Sequence, residues 1–332
     1  MRVAVLGAGS WGTALARLLG EKGHPVRLWD RDPERARDIA AARENRRYLP
    51  GFPLPDTIRP THDLAEATRC AEVVVLAVPS GAVRGLLETG AACLGDGRVV
   101  LSAAKGLEPG SGQTVSAACR AIAPETADRL AVLSGPNLAT ELARGIPTAT
   151  VIASAHPALA ADLQGLFQTP FFRPYTSDDV AGVEMGGALK NIVAIAAGIS
   201  DGLGYGDNTK ASLLTRGLAE MVRLGTRLGA RPETFRGLSG MGDMIATCAG
   251  RLSRNYRVGL GLAEGRPLDL ILEEMGQVAE GVPTTRAAVA LARRLDVDAP
   301  VMESVHAVLF DATPAGAATA SLMERAARGE LD

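Results

Sequence analysis

The stretch Val3-Ala4-Val5-Leu6-Gly7-Ala8-Gly9-Ser10-Trp11-Gly12 determines the fold of this chain. Its first four residues are apolar, as in a buried strand, and they run directly into a G-x-G-x-x-G pattern that opens a helical segment. In this position the pattern is typical of a dinucleotide-binding turn. Gly7 permits the tight turn, Gly9 lets the backbone approach a pyrophosphate, and Gly12 allows close packing of helix on strand. The N-terminus of the helix then offers free N–H groups to the anion.

A dinucleotide site also needs a group that reads the adenosine ribose, about 20 residues after the turn. The sequence places Asp30, Arg31 and Asp32 there, at the end of the predicted second strand. An aspartate would bind the 2′-hydroxyl of NAD, whereas an arginine would hold the 2′-phosphate of NADP. Asp32, which Pro33 follows, also fits a helix N-cap. Both types of group are present, so the sequence leaves the cofactor open as NAD or NADP.

The first half of the chain alternates short β-branched runs with helical patterns, which is typical of a doubly wound α/β sheet of the Rossmann type. Several runs are apolar throughout, as in parallel strands that are covered on both faces. The predicted strands are residues 2–6, 26–30, 73–78, 98–102, 130–134 and 148–153, and the predicted helices are 10–21, 33–43 and 112–122. Residues 46–60 carry four prolines and are predicted to be irregular.

The second half of the chain shows helical patterns only. Helices are predicted at residues 180–200, 211–228, 232–237, 257–263, 268–275, 284–295, 301–310 and 315–328. The change of pattern predicts two domains, a dinucleotide-binding Rossmann-like domain over residues 1–178 and an all-helical substrate-binding domain over residues 179–332. The default position for a ligand site is the cleft between them.

Composition excludes several classes of protein. The chain has 332 residues, about two domains' worth, with 47% hydrophobic residues and a net charge of −2. This balance argues against a nucleic-acid coat protein or a polybasic membrane binder. No apolar run approaches the roughly 20 residues of a bilayer span, so a soluble, cytoplasmic protein is expected. The cysteines and histidines are dispersed, which predicts neither a disulfide framework nor a metal site.

Lysine is rare in this chain and therefore singles out candidates for chemistry. Of the 35 basic residues only four are lysine, at positions 22, 105, 190 and 210. Lys190 lies in an apolar, small-residue helical pattern behind Gly186 and Gly187, and a desolvated lysine near a second cation can act as a general acid. Lys105 follows a predicted strand at the carboxyl edge of the sheet, where ligands of such sheets bind. The alternatives are a surface charge at a helix end for Lys190 and a solvated loop lysine for Lys105.

Two further groups of polar residues are candidates. Asp243, on a glycine-rich stretch, could orient a lysine or bind substrate hydroxyls, or simply cap a helix. The run Arg251-Leu252-Ser253-Arg254-Asn255-Tyr256-Arg257 concentrates donors that suit a phosphate. It is also compatible with a solvated basic turn in which Ser253 caps the following helix.

Motifs along nearly the whole chain resemble the bacterial NAD(P)-dependent glycerol-3-phosphate dehydrogenase family. They are the segments 7–16 (GAGSWGTALA), 45–50 (NRRYLP), 104–108 (AKGLE), 134–139 (SGPNLA), 187–191 (GALKN), 200–202 (SDG), 215–221 (TRGLAEM), 240–243 (GMGD) and 253–255 (SRN). They occur in the order that the family has them. The resemblance implies reversible hydride transfer between NAD(P)H and dihydroxyacetone phosphate, which gives sn-glycerol 3-phosphate for glycerophospholipid synthesis.

The resemblance also implies site residues, with Lys190 as proton donor and acceptor. The residues implied for the cofactor are Ser10, Trp11, Arg31, Lys105, Ala139, Arg254, Val278 and Glu280. Those implied for the substrate are Lys105, Gly135, Asn137, Lys190, Asp243, Ser253, Arg254 and Asn255. Relatives commonly have serine or threonine where this chain has Asn137, whose side chain can still form hydrogen bonds.

Two other functions compete with this interpretation. One is a two-domain dehydrogenase of the β-hydroxyacid or opine type that acts on a carboxylate, and the other is a non-catalytic dinucleotide sensor. Converging donors around Arg254 favour a tetrahedral phosphate, because a single bidentate arginine serves a planar carboxylate. Lys105, Lys190 and Asp243 together argue against a sensor. The sequence leaves open the cofactor preference, the hydride face, feedback inhibition and the oligomeric state, for which a homodimer is one expectation.

Overall fold

A computed structural model describes residues 1–94, 97–250, 252–326 and 329. Its first half is built on one eight-stranded sheet. The strands are β1 (Val3–Leu6), β2 (Val26–Trp29), β3 (Ile58–Thr61), β4 (Val73–Leu76), β5 (Val99–Ser102), β6 (Leu130–Ser134), β7 (Thr148–Ala153) and β8 (Phe172–Ser177). Their order across the sheet is β3-β2-β1-β4-β5-β6-β7-β8. The predicted Rossmann-type doubly wound fold is confirmed, and the carboxyl ends of β1, β4 and β5 meet at one edge of the sheet.

The sheet differs from the prediction in three places. β6 and β7 are antiparallel, whereas the other neighbouring strands are parallel. The connection between β6 and β7 contains only the short helix Ala139–Ala143, and a parallel pair requires a longer crossover. The other two differences are β3 and β8, which the prediction missed. The segment 46–60, predicted to be irregular, ends inside β3.

Helices cover both faces of this sheet. They are α1 (Ser10–Glu21), α2 (Pro33–Ala42), α3 (Leu64–Thr68), α4 (Ser80–Leu94), α5 (Val115–Ile122), α6 (Ala139–Ala143) and α7 (Pro157–Phe167), with a 3₁₀ turn at Pro124–Arg129. Two separate apolar clusters, one on each face of β1 and β4, form the core of this half.

In the second half, the described residues form helices joined by turns and loops, without a strand after Ser177. The helices are α8 (Val180–Gly202), α9 (Asp207–Arg227), α10 (Pro232–Phe235), α11 (Asp243–Cys248), α12 (Arg254–Ala263), α13 (Leu268–Met275), α14 (Gly281–Arg294), α15 (Pro300–Phe310) and α16 (Ala315–Met323). A π-helical segment, Leu238–Gly242, precedes α11. Neither this segment nor α11 was predicted. The predicted helix 315–328 ends at Met323, and residues 251, 327 and 328 of the predicted segments lie outside the described residues.

Helix α8 is the centre of the second half. A Cβ on Gly198 would lie 2.1 Å from the carbonyl oxygen of Tyr256, and one on Gly259 would lie 2.0 Å from that of Ile195. These glycines therefore let α12 pack directly on the backbone of α8. The helix is long and apolar enough to span a bilayer, but 89% of its most apolar window is buried inside the protein, as in a core helix. The packing leaves Lys190 inside the structure.

Candidate active site

The glycine turn between β1 and α1 has three glycines with different requirements. Gly7 has φ +118°, and a Cβ there would lie 2.7 Å from the carbonyl oxygen of Ala77. A Cβ on Gly12 would lie 1.9 Å from the carbonyl oxygen of Gly7, so no side chain fits. A Cβ on Gly9 would meet nothing within 4 Å. The fold itself therefore requires Gly7 and Gly12, whereas Gly9 leaves open space that a ligand can fill.

The N-terminus of α1 faces this open space, and no side chain of the described residues caps it. Gly9 is the N-cap and provides no side-chain cap, and the first turn contains no acidic residue. The first N–H groups of a helix have no partner within the helix. Together with the helix dipole they provide a site for a phosphate or pyrophosphate. The turn therefore fits the dinucleotide predicted for it.

Valine at position 9 is expected to abolish NAD(P)H binding while the protein stays folded. The side chain has room in the protein but would occupy the path of the pyrophosphate. Gly206 provides a matched control, because it is also an N-cap with extended backbone (φ −86°, ψ −174°) and with open space around a Cβ. Calorimetry should show loss of binding for Gly9→Val only. Unchanged affinity in folded Gly9→Val would contradict this assignment.

A cleft of about 1130 Å³ extends from the glycine turn to the segments around α12–α14. Seven residues predicted for the cofactor line it, namely Gly7, Gly9, Ser10, Arg31, Arg254, Val278 and Glu280. Trp11 and Ala139 instead pack against the core of the sheet, and the buried Nε1 of Trp11 has no hydrogen-bond partner in the described part of the chain. The cleft is large enough for a dinucleotide.

At the end of the cleft where the ribose is expected, arginine side chains line the wall, and the two nearby carboxylates already form hydrogen bonds within the protein. The buried carboxylate of Asp30 accepts hydrogen bonds from Nε and Nη2 of Arg35, both at 2.8 Å. The carboxylate of Asp32 caps the first turn of α2, as its sequence position suggested. Arg31 and Arg47 line the cleft here. An arginine at this position can hold a 2′-phosphate, and a free aspartate can bind a 2′-hydroxyl.

The structure brings Lys105, Lys190 and Asp243 together. The carboxylate of Asp243 accepts a 2.5 Å hydrogen bond from Nζ of Lys190 at Oδ1 and a 2.7 Å hydrogen bond from Nζ of Lys105 at Oδ2. Nζ of Lys190 also donates to Oγ1 of Thr247 at 2.7 Å, and Nζ of Lys105 donates to the carbonyl oxygen of Gly135 at 2.7 Å. Asp243 is thus a bridge between two ammonium groups rather than a helix cap.

The surroundings of this cluster change the acidity of Lys190. Burial lowers the pKa of Lys190 to about 8 and is the largest cause of the shift. The carboxylate of Asp243 opposes the shift, and the ammonium of Lys105 adds to it. An amine with a pKa near the working pH can both donate and accept a proton. Lys190 is therefore not a surface charge at a helix end.

Gly186 and Gly187 of α8 make room for this cluster. A Cβ on Gly186 would lie 2.7 Å from the carbonyl oxygen of Ser239, in the π-helical segment that leads to Asp243. One on Gly187 would lie 2.4 Å from Oγ of Ser134, at the carboxyl end of β6. The two glycines let α8 approach both segments. Their cost in helix propensity, about 1 kcal/mol each, is the consequence of that approach.

The remaining predicted substrate residues differ in what their side chains do. Oγ of Ser253 caps α12 by accepting from the N–H of Tyr256 at 3.2 Å. The amide of Asn255 donates to Oδ1 of Asn191 at 2.8 Å and accepts from the N–H of Gly281 at 2.9 Å. Arg254 is exposed in the cleft and forms no hydrogen bond or ion pair with the described residues. Arg254 is thus a cation of this segment that lines the cleft and is available to a ligand there.

Gly135 and Asn137 form a rigid corner after β6. Gly135 has φ +155°, and a Cβ there would lie 2.9 Å from Cα of Thr150. Oδ1 of Asn137 accepts from Oγ1 of Thr150 at 2.9 Å, and its Nδ2 donates to the carbonyl oxygen of Ala149 at 3.3 Å. Asn137 fixes the corner whose Gly135 carbonyl holds Lys105.

Two residues at the site were missed by the sequence analysis. Thr247 lies one turn after Asp243 on the unpredicted helix α11, and this i, i+4 spacing would have indicated it had the helix been recognised. Ser80 begins α4 just after β4, at the carboxyl edge of the sheet. It binds the carboxylate of Glu280 through both its N–H (3.0 Å) and its hydroxyl (2.6 Å).

Comparison with known proteins gives one consistent family. Residues 2–160 match the model of the NAD-dependent glycerol-3-phosphate dehydrogenase N-terminus, and residues 179–320 match that of its C-terminus. A glycerol-3-phosphate dehydrogenase [NAD(P)+] of Geobacter sulfurreducens is 50% identical over 99% of this chain and 98% of its own length. The corresponding protein of Anaeromyxobacter dehalogenans is 48% identical over 100% of both chains.

A solved structure agrees with these sequence relatives. The crystal structure of glycerol-3-phosphate dehydrogenase from Coxiella burnetii superposes with a TM-score of 0.94 at 38% identity, and covers 98% of this chain and 99% of that one. The resemblance first identified from motifs is thereby confirmed over both halves of the sequence. The chain belongs to the NAD-dependent glycerol-3-phosphate dehydrogenase family.

Proposed function

We propose that this chain is an NAD(P)-dependent oxidoreductase that interconverts dihydroxyacetone phosphate and sn-glycerol 3-phosphate, which supplies glycerophospholipid synthesis. The observation that carries the proposal is the cluster beside the cleft, in which Lys190 and Asp243 are buried and Lys105 is partly buried. The cluster and the cleft are adjacent: Gly106, which follows Lys105 in the chain, lies against the carboxylate of Glu280, and Glu280 lines the cleft. A ketone can thus meet a proton donor next to a dinucleotide site.

The chain's own residues handle the proton. When bound in the cleft, the reduced nicotinamide supplies the hydride. Lys190 donates a hydrogen bond to the ketone oxygen and then its proton to the developing alkoxide, and it takes the proton back in the reverse reaction. Asp243 orients Lys190 and shares its charge with Lys105. The surrounding apolar residues of α8 exclude water and strengthen these interactions.

Arg254 is proposed to bind the substrate phosphate together with donors of the same segment. Arg254→Ala is then expected to raise the KM for dihydroxyacetone phosphate about ten- to a hundredfold, since a charge-assisted hydrogen bond contributes roughly 1.5–3 kcal/mol. Steady-state kinetics with unphosphorylated dihydroxyacetone, a poor substrate, provides the control and should change little. Equal losses with both substrates would assign Arg254 to the cofactor or to the structure.

We infer that NADPH is the preferred reductant, although both cofactors suit the cleft. The support is that Arg31 and Arg47 line its ribose end, while the carboxylates of Asp30 and Asp32 are engaged within the protein. Initial rates with NADH and NADPH test this inference. A lower KM for NADH would contradict it.

Two alternative functions make different predictions in one assay. The purified chain should oxidise NADPH with dihydroxyacetone phosphate and leave 2-oxo acids nearly untouched. A dehydrogenase of the β-hydroxyacid or opine type would show the opposite preference. A dinucleotide sensor would bind NADPH and turn over neither substrate.

The proposal includes the organisation and setting of the chain. Residues 1–178 are proposed to form the dinucleotide-binding domain and residues 179–332 the substrate-binding domain, in keeping with the ranges of the two family models. A cytoplasmic location is supported by the free thiols of Cys70, Cys119 and Cys248, which suit a reducing compartment. A homodimer stays a prediction that light scattering of the purified protein can test.

A further inference from the structure

Two similar contacts join the helical half to the sheet half. In the first, the carboxylate of Glu280 accepts from the N–H and the hydroxyl of Ser80, at 3.0 and 2.6 Å. In the second, the carboxylate of Glu184 accepts from the N–H of Ser116 at 2.8 Å and from its hydroxyl. Each serine lies in the first turn of a helix, α4 or α5, and each is buried. We name the first contact the Ser80–Glu280 clasp.

The Ser80–Glu280 clasp touches the loop that carries Lys105. Oγ of Ser80 lies 3.3 Å from the carbonyl oxygen of Leu107. A Cβ on Gly106 would lie 2.4 Å from Oγ of Ser80 and 2.7 Å from Oε2 of Glu280. The backbone at Gly106 therefore rests directly against both partners of the clasp. The contact between Glu184 and Ser116 has no such connection in the hydrogen bonds of the described residues.

The same loop is fixed at two further points. The carbonyl oxygen of Lys105 accepts from Nδ2 of Asn191 at 3.3 Å, and Leu107 is fully buried in the apolar core of the helical half. Three residues of loop are thus held by the clasp on one side and by α8 on the other. This leaves the ammonium of Lys105 directed at Asp243 and Gly135.

We propose that the Ser80–Glu280 clasp positions Lys105 against Asp243, beside Lys190. The proposal rests on the proposed function, in which Lys190 is the proton donor. Ser80 does not touch the lysines, so it is a positioning residue that acts through the backbone of residues 105–107. The clasp also connects the cofactor cleft, which Glu280 lines, to the proton-transfer cluster.

The electrostatic consequence of losing the clasp has a definite sign. The titratable groups that face Lys190 are Asp243, Lys105 and Cys248, and the Lys105 ammonium lowers the pKa of Lys190. If Lys105 moves away from the cluster, that effect weakens and the pKa of Lys190 rises. Ketone reduction needs protonated Lys190, so the rate of reduction decreases at high pH. This decrease, the alkaline limb of the pH profile, should therefore move to higher pH.

The test compares Ser80→Ala with Ser116→Ala in the full-length enzyme. Each variant removes one serine hydroxyl from a buried carboxylate between the same two halves, so both should lose stability similarly. Ser80→Ala should lower kcat about ten- to a hundredfold, as expected for a misplaced catalytic group, and should shift the alkaline limb of kcat/KM upward. Ser116→Ala should retain the wild-type limb and kcat.

A second variant and a second readout keep the test decisive. Gly106→Ala places a methyl group against the same clasp from the loop side, and it should also move the alkaline limb of kcat/KM to higher pH. This variant provides the test if Ser80→Ala fails to fold. Trace acetylation read by mass spectrometry should show Lys105 labelled faster in both variants, relative to Lys22 and Lys210. This labelling does not depend on activity, so it separates failure of the clasp from failure of the proposed function.

Either of two results would overturn the proposal. One is an unchanged limb and unchanged Lys105 labelling in the folded Ser80→Ala and Gly106→Ala variants. The other is a parallel loss of kcat in Ser80→Ala and Ser116→Ala, because the clasp would then hold the halves together and do nothing specific for Lys105.

Discussion

Replacing Lys190 by methionine is expected to lower kcat for ketone reduction by roughly 10³ or more. The reason is that hydride arrival leaves an alkoxide in a site from which water is excluded, and the ammonium both attracts that charge and supplies the proton. Positioned acid–base groups contribute about 10²–10⁴-fold, and the electrostatic part of the same contact adds to this. Affinity for NAD(P)H should change little, because the glycine turn lies in the other half of the chain.

Two variants control this result. Arginine at position 190 should not rescue, since a guanidinium stays charged and cannot cycle a proton near neutral pH. Lys22→Met removes a lysine that donates to three backbone carbonyls at the end of α7, and it should affect stability without affecting kcat. If Lys190→Met retained kcat within about fivefold, far less than the acid–base effect, the proton donor would be Lys105.

Replacing Asp243 by asparagine is expected to lower kcat/KM at pH 7.5 about a hundredfold or more. The carboxylate raises the pKa of Lys190, against burial and the Lys105 ammonium. Without it, the pKa of Lys190 falls below about 8 and the lysine is neutral at the assay pH. The alkaline limb of the reduction should therefore move to lower pH, opposite to the shift expected for the clasp variants.

Asp201→Asn is the matched control for this variant. Asp201 also pairs with a lysine of the helical half, since its Oδ2 accepts from Nζ of Lys210 at 2.6 Å. Losing this pair should leave the alkaline limb in place. Activity of Asp243→Asn within a few-fold of the wild type would show that Asp243 does not set the charge of Lys190.

The prolines explain which parts of the sheet could be predicted. The two strands that the sequence analysis missed, β3 and β8, are the two edges of the sheet, and each contains a proline, Pro60 and Pro174. Proline cannot donate to a central ladder and is therefore confined to edges. A proline in the sequence argues against a central strand, but an edge strand tolerates it, which is why β3 and β8 were missed. The apolar central strands and the helix over 10–21 were predicted correctly.

The sequence predicted which residues belong to the site, but it did not predict which of them contact each other. Each residue was a candidate for a separate reason. Lys105 and Lys190 stood out because lysine is rare in this chain and Lys190 lies in an apolar helix, and Asp243 stood out because it lies on a glycine-rich stretch. Asp243 is 53 residues from Lys190 and 138 from Lys105, and no local pattern reports such pairings. The unpredicted π-helical segment, which turns Asp243 inward, packs on Gly186. The close neighbour of Gly186 is the backbone of Ser239, whereas that of Gly187 is the hydroxyl of Ser134.

The pH dependence of kcat/KM for the wild-type enzyme, measured for ketone reduction and for alcohol oxidation, tests the role of Lys190 most directly. If Lys190 is the proton donor, as proposed, then with its pKa lowered to about 8 it must be protonated for reduction and neutral for oxidation. Reduction of dihydroxyacetone phosphate should therefore fall as the pH rises through about 8, and oxidation of sn-glycerol 3-phosphate should rise through the same range. Profiles that stay flat in both directions from pH 7 to about 9.5, beyond the range expected for a donor of this acidity, would contradict Lys190 as the proton donor.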